Sequence, residues 1–287
     1  KRAVKEALLV VGLDPKTHDP GRIMSIISKE KGKGISIDDF IEKNDRGYFA
    51  NVVSQVWPEY EKILSSQSAL DFDDLLVKTA NLLASDQSVR DYYRSIWEYI
   101  HIDEYQDTNR VQYEISKKLV GENRNICVVG DIDQNIYSWR GADLKNILDF
   151  EKDYPDAEVI TLEENYRSTK NILEAANAVI EKNKIRRKKN LFTTNAEGEK
   201  ISLFGGPDEI TEAEFIASKA EELIKKKVPS EEIAVLFRAN FQSRVLEEAF
   251  MNRDIPYQLL GLRFFERKEV KDIVSYLRAA LNPESLI

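Results

Sequence analysis

A chain of 287 residues, 42% apolar and 32% charged, is long enough for two or three folding units with real cores, and it has no apolar run near the eighteen residues needed to span a bilayer. Its one cysteine, Cys127, excludes disulfides and a cysteine-based zinc site, and its apolar surroundings mark it as a small core residue. No signal-peptide pattern opens the chain, so a cytoplasmic protein without membrane partners is expected; the net charge of −8 argues weakly against a nucleic-acid protein, since attraction to phosphates favours a basic surface, and leaves that point to local patches.

Val4, Leu8 and Val11 recur at helical spacing from the outset, behind a lysine rather than a methionine, so the chain reads as a fragment that opens within a helix. Residues 1–97 read as helical, with turns at 12–20 and 32–34, an apolar face on Phe49, Val52, Val53, Val56 and Trp57, and a further helix over 72–83 that starts near Asp71. The period then changes. Short apolar runs at 99–102 and 126–130 flank an amphipathic helix on Val111, Ile115 and Leu119, which makes a β-α-β unit, most economically parallel. A third strand is expected at 158–162, ahead of a helix capped by Ser168 or Thr169 with Ile172, Leu173, Ala176, Val179 and Ile180 on one face. Strands at 200–204 and 232–237 around a helix at 212–225 predict a second α/β unit. A last helix runs from Glu269 through Leu281, until Asn282-Pro283 interrupts it.

Three loops carry chemistry. Asp103 and Glu104 follow the first strand, where open α/β sheets bind ligands. One carboxylate there can hold Mg²⁺, directly or through water, and the other can take a proton from a water attacking a γ-phosphate; an acid pair in this position is equally what a solvated loop looks like. The second strand leads into the loop 130–143, which in a parallel sheet emerges at the same edge, so that Gln134 can reach a terminal phosphate or the attacking water. Farther along it, Tyr137, Trp139 and Arg140 combine aromatic faces with a cation, as single-strand binders do, with packing of Trp139 in a core as the plain alternative. In Asn165-Tyr166-Arg167-Ser168, Arg167 suits an arginine finger and Tyr166 a flat surface for a base; an ordinary surface ion pair would use the same residues.

In this order and spacing the three segments resemble the superfamily 1 DNA helicases of the UvrD, Rep and PcrA type. Asp103-Glu104-Tyr105-Gln106-Asp107 is similar to that family's Walker B element, residues 130–143 to its third motif and 165–168 to its fourth. Leu70-Asp71-Phe72-Asp73-Asp74-Leu75 is similar to the segment whose aromatic touches single-stranded DNA, and residues 234–244 to the strand and loop with which the second motor grips DNA. Asn135 stands where the family usually has serine. The resemblance implies an α/β, RecA-like P-loop NTPase fold with parallel-sheet motor domains and a helical insert. Residues 1–68 would be the insert, 69–162 the latter part of the first motor domain and 163–287 the first part of the second. It implies ATP and Mg²⁺ as cofactors, with Asp103 at the metal, Glu104, Gln134 and Arg167 catalytic, and Tyr166 at the nucleotide. Movement would be 3′ to 5′ on single-stranded DNA gripped by Phe72, Tyr137, Trp139, Arg140, Arg238 and Asn240, with single-strand/duplex junctions and repair or replication proteins as partners.

No Gly-x-x-x-x-Gly-Lys-Ser/Thr phosphate loop occurs in the 287 residues, so the chain by itself is expected not to hydrolyse ATP. A helicase-like module with a dead motor, serving as a DNA clamp or scaffold, is the alternative, and the presence of Glu104, Gln134 and Arg167 together argues against it. A phosphate-loop enzyme without a nucleic-acid substrate is a third reading, opposed by Trp139 beside Arg140. The run 184–189 offers a basic patch, although a charge run after a helix is usually just solvated; residues 263–271 read as an amphipathic helix start with Phe264 and Phe265 in a core, and His101 reads as packed within its strand.

Overall fold

The computed structural model describes residues 1–42, 47–184, 189–260 and 268–281. The spacing that opens the chain yields α1 (Arg2–Val10), α2 (Pro20–Gly32), α3 (Ile37–Glu42) and α4 (Gly47–Ser66). Asp19 starts α2 by accepting from the amides of Gly21 and Arg22 at 2.9 and 3.3 Å, ahead of a proline whose fixed φ suits a first helical position. The predicted apolar face of α4 closes this core: Val52, Val53, Val56 and Trp57 are buried with Val4, Leu8, Ile23, Ile27 and Phe40. Phe40 meets Trp57 edge-on at 5.5 Å.

Next come α5 (Phe72–Ser85) and α6 (Gln87–Ile96), then β1 (Ile100–Ile102), α7 (Arg110–Leu119), β2 (Ile126–Val128) and α8 (Lys145–Asp153). Asp71 starts α5, and Asn109 starts α7 with a reciprocal bond to Gln112. The two strands are parallel, as the β-α-β reading requires, in the register Ile100↔Ile126, His101↔Cys127 and Ile102↔Val128. Ile102, Ile126 and Val128 point to one face, onto a core of Tyr105, Tyr113 and Phe150. His101 and Cys127 point to the other face and are exposed, which corrects the expectation that both are packed. The alternation of side chains explains the error: an apolar run reads as buried on both sides, but among the described residues only one side of this sheet is covered.

After α9 (Lys170–Ile180) the chain continues through α10 (Glu209–Lys225), α11 (Gln242–Asn252) and α12 (Lys268–Leu281). Two compact units result, Lys1–Glu199 and Lys200–Ile287, so residues 163–199 group with the unit that carries β1 and β2. In the second unit the small residues Ala213, Ala217 and Ala220 of α10 let Ala249 and Phe250 of α11 approach closely.

Three expected strands form no ladder among the described residues: 158–162, 200–204 and 232–237. A strand needs a neighbour to take its N–H and C=O groups, and sequence pattern alone does not supply one. The pattern itself survives at 232–237, where Ile233 and Val235 pack on the α10–α11 core while Leu236 is 94% exposed. The pairing that does occur nearby is a parallel bridge between Glu164 and Phe192. Thr169 occupies the position before α9, as expected, yet makes no side-chain cap; its Oγ1 is buried without a partner. Of the predicted apolar face of α9 only Leu173 is buried. Residues 185–188 of the basic run, residues 263–267 with Phe264 and Phe265, and Asn282-Pro283 lie outside the described residues. No helix among the described residues is long and apolar enough to cross a membrane.

Candidate active site

The ladder ends with Val129 donating to the Ile102 carbonyl at 2.8 Å and Tyr105 donating to the Val129 carbonyl at 2.9 Å. Between them the backbone turns through Glu104 in the left-handed region, φ +50°, an uncommon conformation for a residue with a Cβ. Asp103 Oδ1 holds that turn by accepting the Glu104 amide at 2.8 Å. The turn sends Tyr105 and Gln106 into the core and leaves Asp103 and Glu104 exposed at the strand end, where the sequence placed them.

Gln106, to which the sequence reading gave no role, organises this edge. It is 1% exposed. Its Nε2 donates to Glu104 Oε2 at 2.8 Å, its Oε1 accepts the Asp131 amide at 2.9 Å, and its carbonyl accepts from Asn135 Nδ2 at 2.5 Å. A side-chain amide can donate to a carboxylate through its nitrogen and accept from a backbone N–H through its oxygen at the same time, whereas an ionised glutamate of the same length can only accept. The available signal was an uncharged amide in an otherwise acidic turn. Gly130 makes the approach possible, because a Cβ there would lie 2.7 Å from Gln106 Oε1 and 3.0 Å from Ile147 Cδ1. Asn135, the departure from the expected serine, reaches Gln106 directly.

Asp131 opens the next loop and accepts from the Asp133 amide at 3.0 Å, from Gln134 Nε2 at 2.9 Å and from the Lys189 ammonium. Burial works to raise its pKa, but Lys189 and Gln134 outweigh it and hold the carboxyl below the usual range. Gln134 thus stands on the same sheet edge as Glu104, with its amide turned to Asp131. The loop then carries its apolar groups outward: Trp139 is 63% exposed, which rules out the core placement, and Ile136 and Tyr137 are exposed beside it. The Ser138–Arg140 turn ends at Gly141, φ +94°, where a side chain would be strained. The side chain of Arg140 lies outside the described ones.

Arg167 and Tyr166 sit on a turn built by two asparagines. Asn165 Oδ1 accepts the amides of Arg167 and Ser168 at 3.1 and 2.8 Å, and Asn195 Nδ2 donates to the carbonyls of Tyr166 and Ser168 at 3.1 and 3.0 Å. Both side chains are exposed, and the Tyr166 hydroxyl donates to Glu164 Oε2 at 2.7 Å. Among the described residues no hydrogen bond or ion pair joins Arg167 to Asp103, Glu104 or Gln134. Phe72, at the start of α5, is 90% exposed. In the second unit Gln242 Oε1 accepts the amides of Arg238 and Ala239 at 3.1 and 2.8 Å, which shapes the loop that exposes Arg238 and Asn240.

Asp107 adds an observation relevant to a cation. Its Oδ1 is buried without a partner, and burial together with the nearby Glu104 raises its pKa. Carboxylates suit the hard-oxygen preference of Mg²⁺, and the orphaned Asp107 oxygen fits an added cation or its water, but Asp103, Glu104 and Asp107 are not gathered into a ready-made three-carboxylate cluster among the described residues. The acidic group that is gathered among the described residues, Glu61, Asp71 and Asp74, is remote in the sequence from this edge and already encloses the Lys31 ammonium.

Residues 1–155 match the UvrD/REP helicase N-terminal domain, and residues 160–287 match the UvrD-like helicase C-terminal domain. The chain is 48% identical over 285 residues to the ATP-dependent DNA helicase PcrA of Bacillus subtilis, covering 98% of this chain and 38% of that protein. It is 45% identical over 283 residues to the protein of the same name from Staphylococcus aureus Mu50 and 44% identical to that of Staphylococcus epidermidis RP62A, each time covering 98% of this chain and 39% of the relative. It therefore spans about two fifths of the length of these relatives. The two matches adjoin, they cover the sheet edge and the loops just described, and they settle the lineage: the chain belongs to the UvrD/REP helicase family and has its RecA-like P-loop NTPase fold, with a small parallel sheet in a largely helical frame.

Proposed function

We propose that the protein containing this chain is an ATP-driven DNA helicase that moves 3′ to 5′ on single-stranded DNA and unwinds duplex at junctions. The observation that carries the reading is a continuous hydrogen-bonded path, from Glu104 through the Gln106 amide to Asp131 and on to Gln134, in the loop that then exposes Trp139. An acid suited to water activation is thereby tied to an aromatic suited to base stacking, which is what coupling hydrolysis to DNA movement requires. The similarity to the PcrA proteins supports the same reading.

Asp103 would hold the cation through water, Glu104 would accept the proton of the attacking water, and Gln134 would orient that water once its bond to Asp131 is exchanged. Bound Mg²⁺ would neutralise charge on the β and γ phosphates. Arg167 would stabilise charge that develops during transfer, with Tyr166 against the base. Phe72, Tyr137, Trp139, Arg140, Arg238 and Asn240 would contact DNA. In domain terms, residues 1–68 are assigned to a helical insert, 69–162 to the first motor and 163–287 to the second. Repair or replication proteins would be the partners. Because the 287 residues carry no phosphate-loop motif, we infer that the isolated chain does not turn over ATP.

The reading is tested with Trp139→Ala in the full-length gene product. Loss of one stacked aromatic costs about 1–3 kcal/mol, so the affinity for a labelled oligothymidylate is expected to fall roughly 5–150-fold. Unchanged affinity would remove the DNA contact from the account.

A further inference from the structure

The ammonium of Lys31, near the end of α2, is buried; the residue is 5% exposed, where an unpaired charge would be costly. Its Nζ lies 2.6 Å from Glu61 Oε1, 2.8 Å from Asp71 Oδ2 and 2.8 Å from Asp74 Oδ1. One cation thus serves three carboxylates, one from α4 and two from the start of α5. The Tyr60 hydroxyl, also from α4, donates to Asp71 Oδ2 at 2.8 Å. Burial alone would lower the pKa of Lys31, and the three acids reverse that shift. Burial likewise works to raise Asp71, and the Lys31 hydrogen bond holds it down.

Asp71 has a second task. Its Oδ1 accepts the Asp74 amide at 2.6 Å while Asp74 Oδ2 accepts the Asp71 amide at 3.2 Å, so the residue that pairs with Lys31 also caps α5. The very next residue is Phe72, 90% exposed on the first turn of that helix. Buried ion clusters add little stability over a well-packed apolar core. What this one supplies is fixed geometry: it clamps the cap of α5 to α2 and α4, and a large apolar side chain stands outward from the clamped end.

We propose that Lys31 is a positioning residue for single-stranded DNA, holding Phe72 at the angle at which it stacks on a base, so that the helical region 1–68 sets the geometry of this grip. The inference rests on the reading of Phe72 as a DNA contact. Lys31 itself touches no DNA in this arrangement; its effect passes entirely through Asp71 and the first turn of α5.

A double-mutant cycle in the full-length gene product tests it. Affinity for a labelled oligothymidylate is measured for the wild type, Phe72→Ala, Lys31→Met and the double variant, with circular dichroism as a check on folding. Phe72→Ala is expected to weaken binding roughly 5–150-fold, Lys31→Met to weaken it by a comparable factor, and the double variant to bind within about twofold of Phe72→Ala. Losses that multiply, or a Lys31→Met variant that binds as the wild type does, overturn the proposal. Wild-type affinity in Phe72→Ala sinks the DNA-contact reading and the inference with it. Since Lys31→Met leaves the buried Asp74 and the half-buried Glu61 and Asp71 without their cation and can unfold the chain, Asp71→Asn gives a second route: asparagine still caps α5 but gives up the charge that pairs with Lys31. The same non-multiplying loss is expected there, and wild-type affinity in Asp71→Asn contradicts the clamp.

Discussion

Gln106→Glu changes one group in the path from Glu104 to Asp131 and keeps its shape. It replaces the Nε2 donor, 2.8 Å from Glu104 Oε2, with a second carboxylate oxygen. Two unit charges at that separation repel by ~6 kcal/mol at an effective dielectric near 20. Glu104 is exposed but position 106 is 1% exposed, so solvent screens the repulsion from one side only and leaves roughly 2–3 kcal/mol. That is equivalent to raising the introduced carboxyl by ~2 pKa units, from about 4.3 to about 6. A group whose folded pKa is raised costs nothing below its unfolded value, and its penalty grows as pH rises to the folded one. The loss should therefore be absent near pH 4, develop between about 4.3 and 6, and be complete by pH 7.5. Hydrogen exchange of peptides over 126–136, which contain the Asp131 amide held by Gln106, reads the effect locally. Compared with wild type at the same pH, exchange should be roughly 30–150-fold faster at pH 7.5 and nearly normal at pH 4.5, where the protonated side chain again donates. Gln106→Met, which loses both bonds, should be faster at either pH. Wild-type exchange in Gln106→Glu at pH 7.5, or an excess that does not change with pH, would show that the Gln106 amide does not hold this edge against Glu104.

Gly130→Ala would place a methyl 2.7 Å from Gln106 Oε1 and 3.0 Å from Ile147 Cδ1, and this overpacking should cost about 1–3 kcal/mol; an unchanged urea midpoint would show that the edge yields freely. The purified 287-residue chain should release no phosphate from ATP above background with or without single-stranded DNA, and DNA-stimulated release abolished by Glu104→Gln would contradict that expectation.

The local pattern made the helices and the β-α-β unit legible. Val52, Val53, Val56 and Trp57 lie on one helical face and are buried together, and Asp71 precedes α5 as a cap should. The acids at the end of β1 were legible because strand ends in α/β sheets follow from chain direction. The strands at 158–162, 200–204 and 232–237 were not, because pairing depends on a partner elsewhere: Leu203 is 99% exposed although its sequence context reads as a buried run. His101 and Cys127 failed for a related reason, since hydropathy does not report which faces of a sheet are covered. Gln106 was overlooked because its role depends on the Asp131 amide, 25 residues away in the chain. Lys31 was missed likewise: its partners are 30, 40 and 43 positions on, and an isolated lysine near a helix end carries no signal of burial.

Under the proposed function, the Glu104 carboxylate at the end of β1 drives ATP turnover that single-stranded DNA controls. The most direct test is steady-state phosphate release by the full-length gene product, with and without oligothymidylate, for wild type and Glu104→Gln. Wild type should show release stimulated by DNA, and Glu104→Gln should lose it by at least ~100-fold while still binding the oligonucleotide. Undiminished DNA-stimulated release in Glu104→Gln would contradict the account.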